Sequence, residues 1–377
     1  MPAHAWHGFP AAREQVLARS LGPICVLVVC GLLVLGLQPF LRPRNTVSWL
    51  PAENGLQFGD NGTIWSTGMF PAAGPPQAAA GSLEIWMEPE SSNASNTFLA
   101  FTTPGNPLQL SLHQYHSSLV LRREDPGRRP GVIGIDHVFQ AGRPVFLSIT
   151  SGARQSAMYV DGVLADRFPG FRLGEDFTGQ LVVGTSPVED ESWAGRLRGL
   201  AIYARALTAE EVAQHYASWT RQGHPGLSGG ERAVAVYLFD ERAGRAIHSV
   251  IRPGIDLHIP ERYALAHQLF LQPFWTEYKP TWSHWRDMLV NVVGFVPLGF
   301  VCGLYWSRVR PLKHAALVST LLGLAVSLTI EVLQSYLPMR NSGTTDLFTN
   351  TLGTYLGYWL LATKGVQARL ARILGAA

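Results

Sequence analysis

Met158-Tyr159-Val160-Asp161-Gly162-Val163-Leu164 sets an Asp-Gly pair between two strand-like runs. A two-residue type I′ turn needs positive φ at both central positions, which Asp and Gly tolerate, so the stretch predicts a β-hairpin. Working outward, Leu83, Ile85 and Met87 alternate with Glu84, Trp86 and Glu88. Leu108, Leu110 and Leu112 alternate with Gln109, Ser111 and His113, and Val145, Leu147 and Ile149 with Phe146, Ser148 and Thr150. Period two, broken by Gly, Pro and Asn turns, predicts antiparallel sheets over 45–222, an all-β sandwich. Thr208 followed by Glu211 forms a capping box, opening a helix with Val212, His215, Tyr216 and Trp219 at helical spacing. Residues 223–286 read as a connector. It holds one further strand, Val234 to Asp240, and a helix from Pro260 to Leu271 that either lies on a bilayer surface or packs on its neighbours.

At 377 residues the chain is too long for one ordinary domain. Apolar residues make up 47% and charged residues 15%, the latter well below the roughly 25% of soluble domains. This excludes disorder as the main state. The net charge of +3 comes without a dense Lys/Arg tract, so nucleic acid is not an expected partner. Cys25, Cys30 and Cys302 all fall in apolar runs and read as packing residues, leaving the middle of the chain to be held by its core.

Four stretches are candidate transmembrane helices: 21–41, Met288 to Trp306, one that starts at Ala315 and stays uncharged until Glu331, and Leu347 to Thr363. No small-residue cleavage site follows the first, which reads as an uncleaved signal anchor after a cytoplasmic segment 1–20. Arg308, Arg310 and Lys313 follow the second span, and Lys364, Arg369 and Arg372 lie in the tail 364–377. The positive-inside rule puts both groups in the cytoplasm, and parity then puts the N-terminus inside and residues 42–286 outside. Arg42 and Arg44, beyond the first span, run against this. Trp275, Tyr278, Trp282 and Trp285 resemble an interfacial aromatic belt; packing of the exterior domain is the other reading.

The spans carry polar stripes. Asp287, Asn291 and Gly294 are spaced four and three, and Asp346, Asn350 and Gly353 repeat that spacing, which keeps each set on one helical face. Thr320, Gly323, Ser327, Glu331 and Gln334 make a third stripe, and Pro338, Arg340, Asn341 and Ser342 the turn after it. Topology predicts that Asp287, Asn291, Glu331, Gln334, Arg340, Asp346 and Asn350 gather at the outer end of the bundle. Ionisable groups in spans cost about 2.5–3.5 kcal/mol at mid-helix and so face partners or a wet cavity. Hydrogen bonds joining the helices and a functional pocket are both consistent with the set.

Two resemblances attach to these residues. Leu83-Glu84-Ile85-Trp86-Met87, Tyr159-Val160-Asp161-Gly162, Leu181-Val182-Val183-Gly184 and Ile202 through Val212 resemble the LamG-like, concanavalin A-like jelly-roll family over about 55–220. The resemblance implies two curved sheets and carbohydrate or protein ligands, sometimes with calcium. Asp161 reads as a turn former and Glu175, Asp176, Glu189, Asp190 and Glu191 as solvated loop residues, so neither a calcium set nor a glycosidase pair can be assigned. Asp287-x-x-x-Asn291-x-x-Gly294-Phe295-x-Pro297-Leu298-Gly299, Glu331-x-x-Gln334, Pro338-x-Arg340 and Asp346-x-x-x-Asn350-x-x-Gly353 resemble the VanZ-like family over about 285–363. That family is linked to glycopeptide resistance, teicoplanin being its usual example, and implies a bacterial envelope setting; the large exterior insertion departs from its simplest pattern.

The expected architecture is thus multidomain: a concanavalin A-like sandwich and an α-helical bundle, four transmembrane helices in total, in a multi-pass bacterial inner-membrane protein. Its first expected function is recognition of an envelope glycan or protein outside, with a polar pocket at the outer leaflet. A second is an enzyme modifying a lipid-linked or cell-surface polysaccharide, with Glu331 or Asp346 as acid/base and Arg340 holding an anionic head group. A third is an oligomeric transport or assembly partner. The sequence contains no nucleotide loop, dinucleotide fingerprint, zinc spacing or triad motif, and no cofactor is expected.

Overall fold

The computed structural model describes residues 11–38, 43–71, 80–125, 127, 129–251, 254–267, 270–274, 282–337 and 342–374. Contacts divide the chain into two compact units, 42–267 and a second unit made of residues up to 41 with 268–377.

The first unit is a sandwich of two antiparallel sheets. One runs Ser48–Trp49, Leu56–Phe58, Gly195–Tyr203, Gly81–Pro89, Val145–Ser151, Gln155–Val160, Val163–Pro169, with Ala233–Tyr237 also paired to Gly195–Tyr203. The other runs Ala246–Ile247, Leu257–His258, Ile64–Ser66, Gln180–Val183, Ser95–Thr103, Asn106–Tyr115, Ser118–Arg123, Gly131–Ile135. The Asp-Gly hairpin forms as the sequence predicts: Val160 pairs with Val163, and Asp161 (φ 50°) and Gly162 (φ 78°) both turn left-handed. Asp161 is fixed further by accepting the Phe146 amide at 2.9 Å. Leu83, Leu99, Leu112, Leu147, Leu181 and Trp193 belong to the buried core between the sheets.

Glu84, Phe146 and Ser148, which alternate with the core-facing Leu83, Leu147 and Ile149, are buried as well. The reason is helical cover: with α1 as Ala11–Gly36, the next helix, α2 (Ala209–Gln222), lays Val212 and Trp219 over this face together with Phe146, Tyr159 and Tyr203. Thr208 and Glu211 close the capping box at its start, and Gly223 (φ 76°) ends it left-handed. Beneath it, Glu84 accepts from the Tyr203 hydroxyl (2.7 Å) and the Trp219 indole (3.4 Å) and meets His215 Nδ1 at 3.0 Å. Burial, with the Glu84 carboxylate beside it, pushes the Tyr203 phenol far above its ordinary range. Glu231 lies 4.0 Å from His215 Nε2; burial would raise its carboxyl, but hydrogen bonds from Ser228 and Gly229 outweigh this and hold it at about 2.

The connector differs from its expected form. Ala233–Tyr237 is a strand, but residues 260–267 carry no helix. Ile259, Tyr263 and Leu265 are buried at extended spacing; Arg262 bridges to Arg44, and the Tyr263 hydroxyl meets Thr185 Oγ1 at 2.7 Å. The core contacts of Ile259 and the Tyr263 bond to Thr185 override the helix-start signal of Pro260, and the compact unit that holds the sandwich runs to 267.

The second unit is helical: α1, α3 (Trp282–Arg308), α4 (Ala315–Gln334), α5 (Thr344–Ala362) and α6 (Lys364–Leu374). Among the described residues, three helices, over Arg19–Gly36, His284–Arg308 and Ala315–Gln334, are long and apolar enough to cross a membrane. The 19-residue α5 is long enough but too polar for that class, because Thr344, Thr345, Asp346, Thr349, Asn350, Thr351 and Thr354 interrupt it. Its hydroxyls turn back on their own helix, as in Thr351 to Leu347 O (2.7 Å) and Thr354 to Asn350 O (3.0 Å).

Small residues let α3 and α5 touch backbone to backbone. A Cβ on Gly299 would stand 1.8 Å from Thr354 O, one on Gly353 2.1 Å from Val292 O, and one on Gly357 2.1 Å from Val296 O. Gly294 has nothing within 4 Å, so the repeated Asp-x-x-x-Asn-x-x-Gly pattern does not mark two equivalent packing sites.

Candidate functional site

One end of the bundle gathers polar side chains from α3, α4 and α5. Asn291, more than two turns into α3, donates to Asp346 in the first turn of α5 at 2.8 Å. Glu331, 1% exposed in the last turn of α4, accepts the Gly343 amide at 2.8 Å. Gly343 is the N-cap of α5 and has no side-chain cap of its own. A carboxylate facing that positive helix end both satisfies an orphan N–H and complements the dipole. Gln334, one turn on, donates to Gly36 O at the end of α1 (2.8 Å). Asn350 donates to Ser327 Oγ at 2.9 Å, while its Oδ1 is buried and finds no partner among the described residues.

Of the residues singled out by spacing, Asn291, Glu331, Gln334, Asp346 and Asn350 thus enter helix-to-helix contacts. Asp287 is exposed at the rim and pairs with neighbouring Arg286 at 3.2 Å. Arg340, with Pro338 and Asn341, lies outside the described residues, as do Trp275 and Tyr278 of the aromatic group; Trp282 and Trp285 are exposed near the start of α3.

Three contributors carried no sequence signal. Gln272 O accepts both the backbone N–H and the hydroxyl of Thr344 (2.9 Å each), and the Gln272 amide donates to Ser342 O at 2.9 Å. Gly36 and Gly343 act only through backbone groups, which leave no residue-type signature. Beside the Asn291–Asp346 pair opens a recess of about 300 Å³, lined by Phe274, His284, Trp285, Met288, Thr345, Phe348 and Thr349. Thr345 and Thr349 flank Asp346 on α5, so an aromatic, apolar hollow directly adjoins the polar pair. Phe274 and Phe348 meet edge-to-face, their centroids 6.4 Å apart.

The opposite end of the bundle is apolar within and basic outside. Leu21, Leu304 and Leu361 pack there with Tyr305, Val309 and Leu370. Arg308, Arg310, Lys313, Lys364, Arg369 and Arg372 lie in or beside these helix ends.

In the sandwich, Asp176 is buried 3.7 Å from Arg123, which also pairs with Asp125. Burial, only partly offset by Arg123, pushes its carboxyl up to about 7. Glu191 accepts from the amide and hydroxyl of Thr97 (3.3 and 2.7 Å). Among the described residues, no three His, Cys, Asp or Glu side chains converge as a metal set would.

Residues 251–365 match the VanZ/LLP1 family model, and residues 66–213 match that of the concanavalin A-like lectin/glucanases superfamily. The chain joins a VanZ-like domain to a concanavalin A-like one. Protein VanZ of Enterococcus faecium is 32% identical over 95 residues, covering 24% of this chain and 56% of that protein. The chain therefore spans little more than half the length of this curated relative. Among solved structures, a native heptameric SAP-like pentraxin from Limulus polyphemus is 14% identical, covering 59% of this chain and 95% of its own, with a TM-score of 0.36. The receptor binding domain of botulinum neurotoxin D is 15% identical, covering 48% of each chain, also with a TM-score of 0.36. The VanZ-like domain and three apolar helices make this a membrane-associated envelope protein with a carbohydrate-binding-like domain.

Proposed function

We propose that the chain is a multi-pass bacterial inner-membrane protein whose sandwich stands outside the cytoplasm and recognises an envelope glycan. In this reading α5 is a fourth span, its polar face shielded by α3 and α4. Both termini are cytoplasmic, because the basic residues collect at the end of the bundle opposite Asn291 and Asp346. The polar end then lies at the outer leaflet and receives the lipid portion of a lipid-linked saccharide. The observation that carries this is the aromatic recess adjoining the Asn291–Asp346 pair. It offers an apolar, aromatic wall to a hydrocarbon chain, as small-ligand sites commonly do.

The test is thermal unfolding of the full-length protein in detergent with and without a short-chain polyprenyl phosphate. Stabilisation that disappears in Thr345→Trp, which fills the recess, supports the reading. No stabilisation of the wild type, or the same stabilisation in Thr345→Trp, refutes it. Modification chemistry has weaker support, because one oxygen of Glu331 is committed to the N-cap of α5. Identical lipid and polymer profiles in wild-type and Glu331→Gln cells would exclude it.

A further inference from the structure

α2 covers only part of the outer face of its sheet. Where it begins, a groove of about 430 Å³ remains between its first turn and the hairpin Gln155–Pro169. Cross-strand register explains the shape. Ala157 pairs with Thr150 on one side and Arg167 on the other, so the three lie in one row across three strands. The small Ala157 leaves the row hollow at its centre. Tyr159 forms the floor beside it, Leu207, Thr208 and Ala209 form one wall, and Arg154 reaches in from the Ser151–Gln155 turn.

The charges here are distinctive. Arg196 and Arg198 on the strand Gly195–Tyr203 of the same sheet, and Arg205 in the loop after it, are all ion-paired, to Glu88, Glu53 and Glu211. Arg154 and Arg167 are exposed, and neither has a carboxylate partner among the described residues. The capping box already employs Thr208 and Glu211, so the helix end adds little, and exposed Glu210 is outside the lining. Two guanidinium groups at one groove, neither held by a carboxylate, suit a saccharide that carries anionic substituents, since the guanidinium fork matches carboxylate and phosphate oxygens. A groove of this volume holds a saccharide unit or two.

We propose that this groove binds an anionic saccharide segment, with Arg154 and Arg167 as the anion contacts. This rests on the reading that the sandwich recognises an envelope glycan, and names the place and the chemistry. The experiment uses the full-length protein in nanodiscs and three probes: an oligogalacturonate for carboxylate, a glycerol-phosphate oligomer for phosphate, and a neutral cello-oligosaccharide. The expected result is at least tenfold tighter binding of one anionic probe than of the neutral one, weakening as salt rises. The double variant Arg154→Ala/Arg167→Ala should lose at least tenfold while melting where the wild type does. Anionic binding unchanged in that variant overturns the groove and leaves glycan recognition standing. Preference for the neutral probe overturns the charge selection. Binding of none of the three overturns both this site and the reading beneath it.

Discussion

Gly294 and Gly353 occupy corresponding places in the two Asp-x-x-x-Asn-x-x-Gly stripes, yet replacing each with alanine should have opposite effects. At Gly353 the new Cβ falls 2.1 Å from Val292 O. Carbon and carbonyl oxygen do not approach closer than about 3.3 Å without strain, so α3 and α5 must part by roughly 1 Å. Neither side is a flexible side chain that could swing away, and Gly299 and Gly357, in equally close contact, lose their fit when the helices part. Overpacking of this kind costs about 1–3 kcal/mol, and the bundle gains no compensating apolar burial, because lipid is as apolar as the groove. At Gly294 nothing lies within 4 Å, so alanine brings only its helix propensity, worth up to about 1 kcal/mol. That propensity gain is common to both sites, so the two variants should differ by about 1–3 kcal/mol, with Gly353→Ala below the wild type and Gly294→Ala at or above it. Unfolding in sodium dodecyl sulfate, followed by far-ultraviolet helicity, reads mainly the bundle, since the sandwich is β-rich. Equal losses in both variants, or a Gly353→Ala protein as stable as the wild type, would refute the close-contact argument.

Three further effects follow from the geometry. Glu84→Ala strands the Tyr203, Trp219 and His215 donors under α2 and should cost about 3–5 kcal/mol, read as a lower melting temperature of the sandwich. Asp176, with its folded pKa near 7 against an ordinary 3.8, holds more protons folded than unfolded between those values. Its stabilising share is therefore complete below about pH 4 and lost as pH rises through 7, by up to about 4 kcal/mol. Asp176→Asn should consequently melt above the wild type at pH 8, with the gap closing at pH 5. For Asn291 and Asp346, a double-mutant cycle with alanine should return a coupling of about 1–2 kcal/mol in detergent; a coupling near zero would show that the bond does not join the helices.

Much of this could be read in the sequence where local chemistry decides the outcome. Asp161-Gly162 demanded a left-handed turn, and Thr208 with Glu211 demanded a helix start; both need only near neighbours. Helix spacing likewise allowed Asn291, Glu331, Gln334, Asp346 and Asn350 to be assigned to common faces. What escaped depends on segments remote in sequence. Glu84 alternates like a solvated residue and is buried only because a helix 125 residues later covers it; Ile259 has helix-compatible neighbours and is extended where the sandwich core takes it, and Tyr263 is held by Thr185. Gly36, Gln272 and Gly343 contribute backbone atoms that any residue could offer. Gly294 and Gly353 look alike in one dimension, and only a facing backbone separates them.

The hydrogen bonds at the polar end also sort its residues by role. Asn291 with Asp346, Glu331 with Gly343 and Gln334 with Gly36 O each use their groups to join helices, so these side chains fix the geometry of the end. The hollow beside them is lined instead by Phe274, His284, Trp285, Met288 and Phe348, none of which belongs to a polar stripe. Affinity for an apolar chain should then track the aromatic lining, and stability should track the stripe. Phe348, 65% exposed, makes few packing contacts to lose, so Phe348→Ala should leave unfolding within about 0.5 kcal/mol of the wild type while abolishing stabilisation by polyprenyl phosphate. Glu331→Ala should do the reverse, lowering stability by about 1–3 kcal/mol as the Gly343 amide loses its acceptor, with any remaining folded protein still stabilised by the lipid. If Phe348→Ala unfolds readily, or Glu331→Ala alone removes the lipid response, the division between scaffold and recess is wrong.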